Sequence, residues 1–267
     1  MFCADHRALA LSSGYERSSG QVVRLGKSTL VNSFKGWLEN KSYDAITVNL
    51  DAGAEFLPYT PDIDIRENVS LESVMQNYNL GPNGAQIVAA DLVAQEADRV
   101  KELIDSYDSD YVLIDTPGQL ELFAFRGPST HLVSTLGADY SAMLYLFDSV
   151  LMKHPDSYVS SQFLAMGVVT RFYIPFLGIV SKSDTLEPKE KERILKWDRK
   201  KGELLSDLRE EKATVDVQLS EAILESSQSL NILGESVFSS SESEDGLEDI
   251  YSFLQKLFYG SDDLEKR

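Results

Sequence analysis

The chain is short of cysteine, histidine and positive charge. Its 267 residues hold one cysteine, Cys3, so no intrachain disulfide can form and nothing points to an oxidising compartment. Three histidines, His6, His131 and His154, lack the spacing of a zinc site. Lysine and arginine number 25 against 43 acidic residues, a net charge of -18. A surface of that sign repels a phosphate backbone, so no direct nucleic-acid contact is expected, and a basic protein partner would be attracted instead. No apolar run approaches the roughly 18 residues of a membrane span. The patch at Ala8 to Leu11 is too brief for a signal-peptide core, which leaves no membrane partner and the cytoplasm as the expected compartment. What is present is ordinary for a globular chain, 43% hydrophobic and 25% charged, and long enough to bury a substantial core.

The most informative stretch is Tyr111 to Gln119, YVLIDTPGQ. An apolar run ending in a Pro-Gly turn predicts a strand buried on both faces of a parallel sheet. Asp115 then stands at the strand's carboxyl end, where open α/β sheets place their ligands. A carboxylate there can hold a metal-bound water, the amide of Gly118 can approach a phosphate, and Gln119 can orient a water. Upstream, Gly26-Lys27-Ser28-Thr29 is the tail of a GxxxxGK[ST] phosphate loop, followed by Leu30, Val31, Phe34, Trp37 and Leu38 at helical spacing. In that motif backbone amides wrap the phosphates, the lysine reaches the β- and γ-phosphates and the hydroxyl binds magnesium. The head of the loop departs from the pattern. Gln21 stands where a glycine is expected, Gly20 is one place early, and Val22 and Val23 suit positive φ poorly. Residues 1–25 are therefore set apart as an atypical segment, with the domain spanning 26–260 and an acidic tail at 261–267.

A second strand, Ala45 to Leu50, ends in Asp51, which should lie beside Asp115. The following AGAEFLPYTPDIDIRE is loop-like, as a nucleotide-sensing switch would be. Ser70 caps a helix carrying Leu71, Val74, Met75 and Tyr78, which stops at an exposed turn, Gly81-Pro82-Asn83-Gly84, before a helix from about Ala85 to Ser106. Further strands are expected at Tyr140 to Phe147, ending in Asp148, at Ile174 to Val180, and at Val237-Phe238, with a helix at about Pro155 to Arg171. Ser181-Lys182-Ser183-Asp184 has the place and pattern of a guanine-specificity motif. The Asp184 carboxylate can accept the N1–H and the exocyclic amine of guanine while the Lys182 stem packs on the ring. Adenine offers neither donor, which argues against an ATP-using relative. Charge-rich residues 186–232 predict a helical insertion, from segments of helical pattern such as Leu195, Trp197 and Leu204 or Ile223 and Leu224. Leu247, Ile250, Tyr251, Leu254, Leu257 and Phe258 form a closing amphipathic helix, with Gly260 as its stop.

Together NLD at 49–51, LPY at 57–59, DIDIRE at 62–67, YNLGPNGA at 78–85 and DTPGQLELF at 115–123 resemble the GPN-loop GTPases, from about residue 26 to the last helix. The resemblance implies a three-layer α/β P-loop NTPase fold with a mainly parallel sheet, and GTP hydrolysis to GDP with Mg2+ in a homodimer. It implies Gly26, Lys27, Ser28, Thr29 and Gly118 at the phosphates, Ser28 and Asp115 at the metal, and Asp51 and Gln119 at the attacking water. Asn83 of the Gly81-Pro82-Asn83 loop is implied to reach the partner subunit's phosphate pocket, and Lys182, Asp184 and Ser240 to bind guanine. It further implies assembly of large complexes, RNA polymerase among them in eukaryotes, without naming a client. The alternative is a dimeric scaffold of the same fold that binds nucleotide weakly because the loop head is degenerate.

Overall fold

A computed structural model describes residues 7–13, 26–118, 127–211, 214–230, 234–240 and 243–259. Among these, seven strands form one sheet: β1 (Arg7–Ser13), β2 (Ala45–Asn49), β3 (Ile63–Asp64), β4 (Tyr111–Asp115), β5 (Ser141–Asp148), β6 (Phe176–Ser181) and β7 (Val237–Phe238). Their order is β3-β2-β4-β1-β5-β6-β7, and every neighbouring pair is parallel. The register sets Asn49 against Asp115, and Asp148 against Ser181. All the strand ends that matter chemically thus lie along one edge.

Parallel strands need covering on both sides, and two separate apolar clusters do this. Side chains alternate along β4, with Tyr111 and Leu113 in one cluster and Val112 and Ile114 in the other; Ala142, Leu144 and Leu146 of β5 likewise oppose Met143, Tyr145 and Phe147. The first face is closed by α1 (Lys27–Asn40), through Leu30, Val31, Phe34, Trp37 and Leu38, and by α11 (Leu247–Tyr259), through Leu247, Ile250 and Leu254. The second is covered by α2 (Leu71–Tyr78), α3 (Pro82–Gln95), α4 (Ala97–Asp105), α5 (Gly127–Gly137), α6 (Ser149–Met152) and α7 (Pro155–Phe172). The insertion α8 (Pro188–Arg199), α9 (Lys201–Glu211) and α10 (Thr214–Leu230) joins them. The result is the expected three-layer α/β fold with its helical insertion. Gly178 is needed where it stands, because a Cβ would come within 2.8 Å of the Phe147 ring. Among the described residues, no helix is long and apolar enough to cross a membrane.

Several sequence expectations need correction. Arg7–Ser13 is not outside the fold: it is the strand between β4 and β5, paired on both sides. Its composition hid it, since RALALSS is short, starts with a charge and ends in serines. The loop at 52–67 contains an edge strand, because Asp62 and Asp64 take hydrogen bonds from Thr47 and Asn49 of β2. The Gly-Pro-Asn tripeptide is the start of a helix rather than a turn ahead of one. Gly81 is the N-cap of α3 and Pro82 occupies its first turn, where proline loses no hydrogen bond. The preceding helix ends at Asn79 in the left-handed conformation, φ 52°. The long helix expected from Ala85 to Ser106 breaks at Glu96, so that α3 faces the cleft and α4 packs beside β3. Tyr140 lies in a short 3-10 turn before β5. Gln21, Gln119, Gly260 and the tail at 261–267 lie outside the described residues.

Candidate nucleotide site

Two adjoining hollows lie at the carboxyl edge of the sheet, and Gly26 lines both. The larger, about 630 Å³, is walled by Gly26 to Thr29, Asp51 to Phe56, Pro117 and Gly118, with Gln86, Ala89, Ala90 and Val93 of α3 opposite. The smaller, about 20 Å³, is walled by Leu30, Ser33, Ser181, Lys182, Ser239 and Ser240.

The larger hollow has the chemistry of a phosphate site. Gly26 sits in the left-handed region, φ 78°, and turns the chain into α1, whose first turn offers amide donors and the positive end of the helix dipole. Lys27 is buried, and its charge acts on both Asp51 and Asp115. Asp115, 1% exposed, is hydrogen-bonded to the Ser28 side chain and accepts the Tyr59 hydroxyl at 3.1 Å. Burial pushes its carboxyl above the ordinary range, and Ser28, Lys27 and Tyr59 oppose that rise. Asp51 is also raised by burial, while backbone amides of Gly53 and Gly118 and the Lys27 charge act the other way. The Gly53 amide donates to Asp51 Oδ1 at 2.9 Å. The Gly118 amide, expected to face a phosphate, is therefore turned to the Asp51 carboxylate here.

The strand-end carboxylates are braced from behind. Asn49, fully buried, donates to Asp64 and accepts the Asp51 amide at 3.0 Å. Arg66 grips Asp64 with two nitrogens and donates to the Ala54 carbonyl at 2.7 Å, so both ends of the Asp51–Asp64 segment are pinned. A divalent cation fits this donor set. Ser28 and Asp115 are hard oxygen donors beside the larger hollow, and Mg2+ is commonly held by one or two protein oxygens together with substrate phosphates. Among the described residues there is no cluster of three or more His, Cys, Asp or Glu that could cage a metal without such phosphates.

The smaller hollow has the chemistry of a base site. Lys182 takes a left-handed backbone, φ 54°, that turns the chain sharply out of β6, and its Nζ lies 3.7 Å from Asp148 Oδ2. Asp148 is buried and also accepts the Val150 amide, capping α6. Ser240 donates its hydroxyl to Asp184 Oδ1 at 2.6 Å, while Ser181 Oγ donates to the Phe147 carbonyl at 2.9 Å. Ser183 N–H reaches the Ser239 carbonyl at 3.0 Å, locking the two base-side loops together.

The structure therefore gathers Gly26, Lys27, Ser28, Thr29, Asp51, Asp115 and Gly118 at one end of the cleft and Lys182, Asp184 and Ser240 at the other. It places Gly81, Pro82 and Asn83, all exposed, at the N-terminus of α3. The sequence reading missed Tyr59 and Asp148 as parts of the site. Asp148 carried a usable signal, being a carboxylate at a strand's end like the two that were chosen.

A family model described as a conserved hypothetical ATP binding protein matches residues 23–260. The GPN-loop GTPase PAB0955 of Pyrococcus abyssi is 36% identical over 181 residues, covering 64% of this chain and 68% of that protein. GPN-loop GTPase 3 of Mycosarcoma maydis is 32% identical over 168 residues, 62% of this chain and 60% of its own length. GPN-loop GTPase 1 of Dictyostelium discoideum is 31% identical over 162 residues, and the match spans 41% of that protein. The crystal structure of PAB0955, a GTPase in apo form, superposes with a TM-score of 0.80 at 28% identity, covering 95% of this chain and 98% of that one. With the phosphate-loop tail, the strand-end carboxylates and the Gly-Pro-Asn helix start in the places described, these matches mean that the chain belongs to the GPN-loop GTPase family.

Proposed function

We propose that the chain binds GTP in this cleft and hydrolyses it to GDP and phosphate with Mg2+. The observation that carries the reading is the pair of hollows that meet at Gly26, one with a lysine–serine–aspartate cluster and the other lined by Lys182 and Ser240, with Asp184 held by Ser240 beside it. Guanine is favoured over adenine because Asp184, aligned by Ser240, can accept the N1–H and the exocyclic amine of guanine, donors that adenine does not offer. When bound, Mg2+ supplies charge neutralisation at the β- and γ-phosphate oxygens, with Ser28 and Asp115 as its protein-side oxygens. Lys27 neutralises the same phosphates, and the first turn of α1 cradles them. Asp51 holds and polarises the attacking water. Its burial fits that role, since a carboxylate desolvated at a phosphate site is a better proton acceptor than one in water. Gln119 shares the orientation of that water, as the family resemblance implies. Releasing Asp51 from the Gly118 amide frees that donor for the γ-phosphate.

The reading extends to a homodimer in which Asn83, exposed at the start of α3, reaches the other subunit's phosphates. Asparagine is neutral, so it orients oxygens and water more than it stabilises charge, and turnover is slow. We further propose that the dimer serves as a nucleotide-dependent assembly factor for larger complexes in the cytoplasm. The test is phosphate release from GTP and from ATP with Asn83→Ala alongside. GTP-selective turnover that falls at least about tenfold in the variant, with GDP affinity unchanged, is expected. Equal turnover of the two nucleotides, or none, would refute the assignment, and an unaffected variant would remove the role of Asn83.

A further inference from the structure

Tyr59 lies in the segment between Asp51 and β3, and its hydroxyl donates to Asp115 Oδ2 at 3.1 Å. The same carboxylate is hydrogen-bonded to Ser28. A buried aspartate is thus fixed by two O–H groups from different elements, the first turn of α1 and the 52–62 segment. That segment is tied at its two ends. Gly53 and the Arg66–Ala54 bond hold one, while the other is held through Asp62, which accepts from the Thr47 amide at 2.8 Å and from Lys35 Nζ at 2.7 Å. Between these ties Tyr59 turns inward, with its ring against the α1 and α11 cluster and its hydroxyl on the carboxylate. The ring is packing; the hydroxyl is an addition that packing does not require.

We propose that Tyr59 is a positioning residue for the divalent cation of this site. Its hydroxyl orients the Asp115 carboxylate together with Ser28 and links the 52–62 segment to whether the cation is there. The inference rests on the magnesium–nucleotide reading given above. A hydrogen bond from a second residue to a metal-binding carboxylate orients the ligand without touching the metal, and losing such a partner typically weakens metal affinity by about tenfold or more. Phenylalanine keeps the ring and removes only that hydroxyl.

The experiment follows release of a fluorescent GDP analogue from the full chain while free Mg2+ is varied, for wild type, Tyr59→Phe and Tyr43→Phe. Tyr43 bonds Tyr251 at 2.6 Å in the same cluster and serves as the control for a lost phenol elsewhere. Tyr59→Phe is expected to raise the Mg2+ concentration that half-maximally slows release by about tenfold, with release in EDTA unchanged. Protection of the 52–62 segment from protease by Mg2+ should shift to higher Mg2+ in step, while Tyr43→Phe matches wild type. An unmoved midpoint, or release accelerated equally in EDTA, would overturn the inference and leave the nucleotide site standing. Wild-type release that ignores Mg2+ would overturn both.

Discussion

Ser240 offers a sharp test of how base selectivity is built. Its hydroxyl donates to Asp184 Oδ1 at 2.6 Å, from a position 3% exposed, whereas Asp184 itself is exposed. A hydrogen bond to a charged group is worth about 1.5–3 kcal/mol when sheltered. With Asp184 open to water, about 0.5–1.5 kcal/mol is the fair figure. At roughly 1.4 kcal/mol per decade, Ser240→Ala should weaken GDP binding by about two- to twelvefold. Ser240→Thr keeps a hydroxyl and should recover most of the loss. The assay is competition of GDP and ADP against a fluorescent guanine nucleotide, with all three proteins side by side. The expected loss is confined to guanine nucleotides and is largest for alanine, smaller for threonine and absent in wild type. Equal losses for alanine and threonine, or equal losses for GDP and ADP, would refute it.

Two further outcomes follow from the base-side loop and its supports. Gly246 has φ 82°, and a methyl there would overlap the Phe238 carbonyl and sit 3.2 Å from the Ser239 Cα; Gly246→Ala should destabilise the chain by about 2 kcal/mol or more in urea unfolding and weaken guanine binding with it, and an unchanged midpoint would contradict this. Asp198 is half-buried and its carboxyl is pushed up by that desolvation, although the Tyr158 hydroxyl at 2.5 Å and the Ser236 amide at 3.0 Å act the other way. A folded value above the unfolded one means that protonation stabilises the fold, fully below the ordinary aspartate range and less as pH rises through the folded value. Wild type should therefore lose stability relative to Asp198→Asn as pH rises above the ordinary aspartate range, and parallel curves would disprove the shift.

Much of this fold could be read from the chain because parallel strands are continuous apolar runs. The strands expected at Ala45 to Leu50, from Tyr111, at Tyr140 to Phe147 and at Ile174 to Val180 lie within two residues of Ala45–Asn49, Tyr111–Asp115, Ser141–Asp148 and Phe176–Ser181, and the amphipathic α11 is where its period puts it. Arg7–Ser13 was not expected, since its place between β4 and β5 is a tertiary fact and its residues alternate only briefly. Ile63–Asp64 was hidden for a related reason: a two-residue edge strand in an acidic stretch is held by Asn49, Thr47 and Arg66, none of them adjacent in sequence. The candidate site was more legible than the fold around it. Lys27, Ser28, Asp51, Asp115, Lys182 and Asp184 stand in motifs whose order fixes their location. Tyr59 closes the Leu57-Pro58-Tyr59 block, but its role beside Asp115 comes only from the geometry that brings the two together.

The central claim is that this cleft takes a guanine nucleotide. It is tested most directly by titrating nucleotide-stripped protein with a fluorescent GTP analogue and Mg2+, with GTP, GDP and ATP as competitors. Binding at micromolar concentration or tighter, displaced by GTP and GDP and not by ATP, is the predicted result. A folded protein that binds no nucleotide would contradict the account and leave the dimeric scaffold as its replacement, and displacement by ATP as readily as by GTP would contradict the role given to Lys182, Asp184 and Ser240.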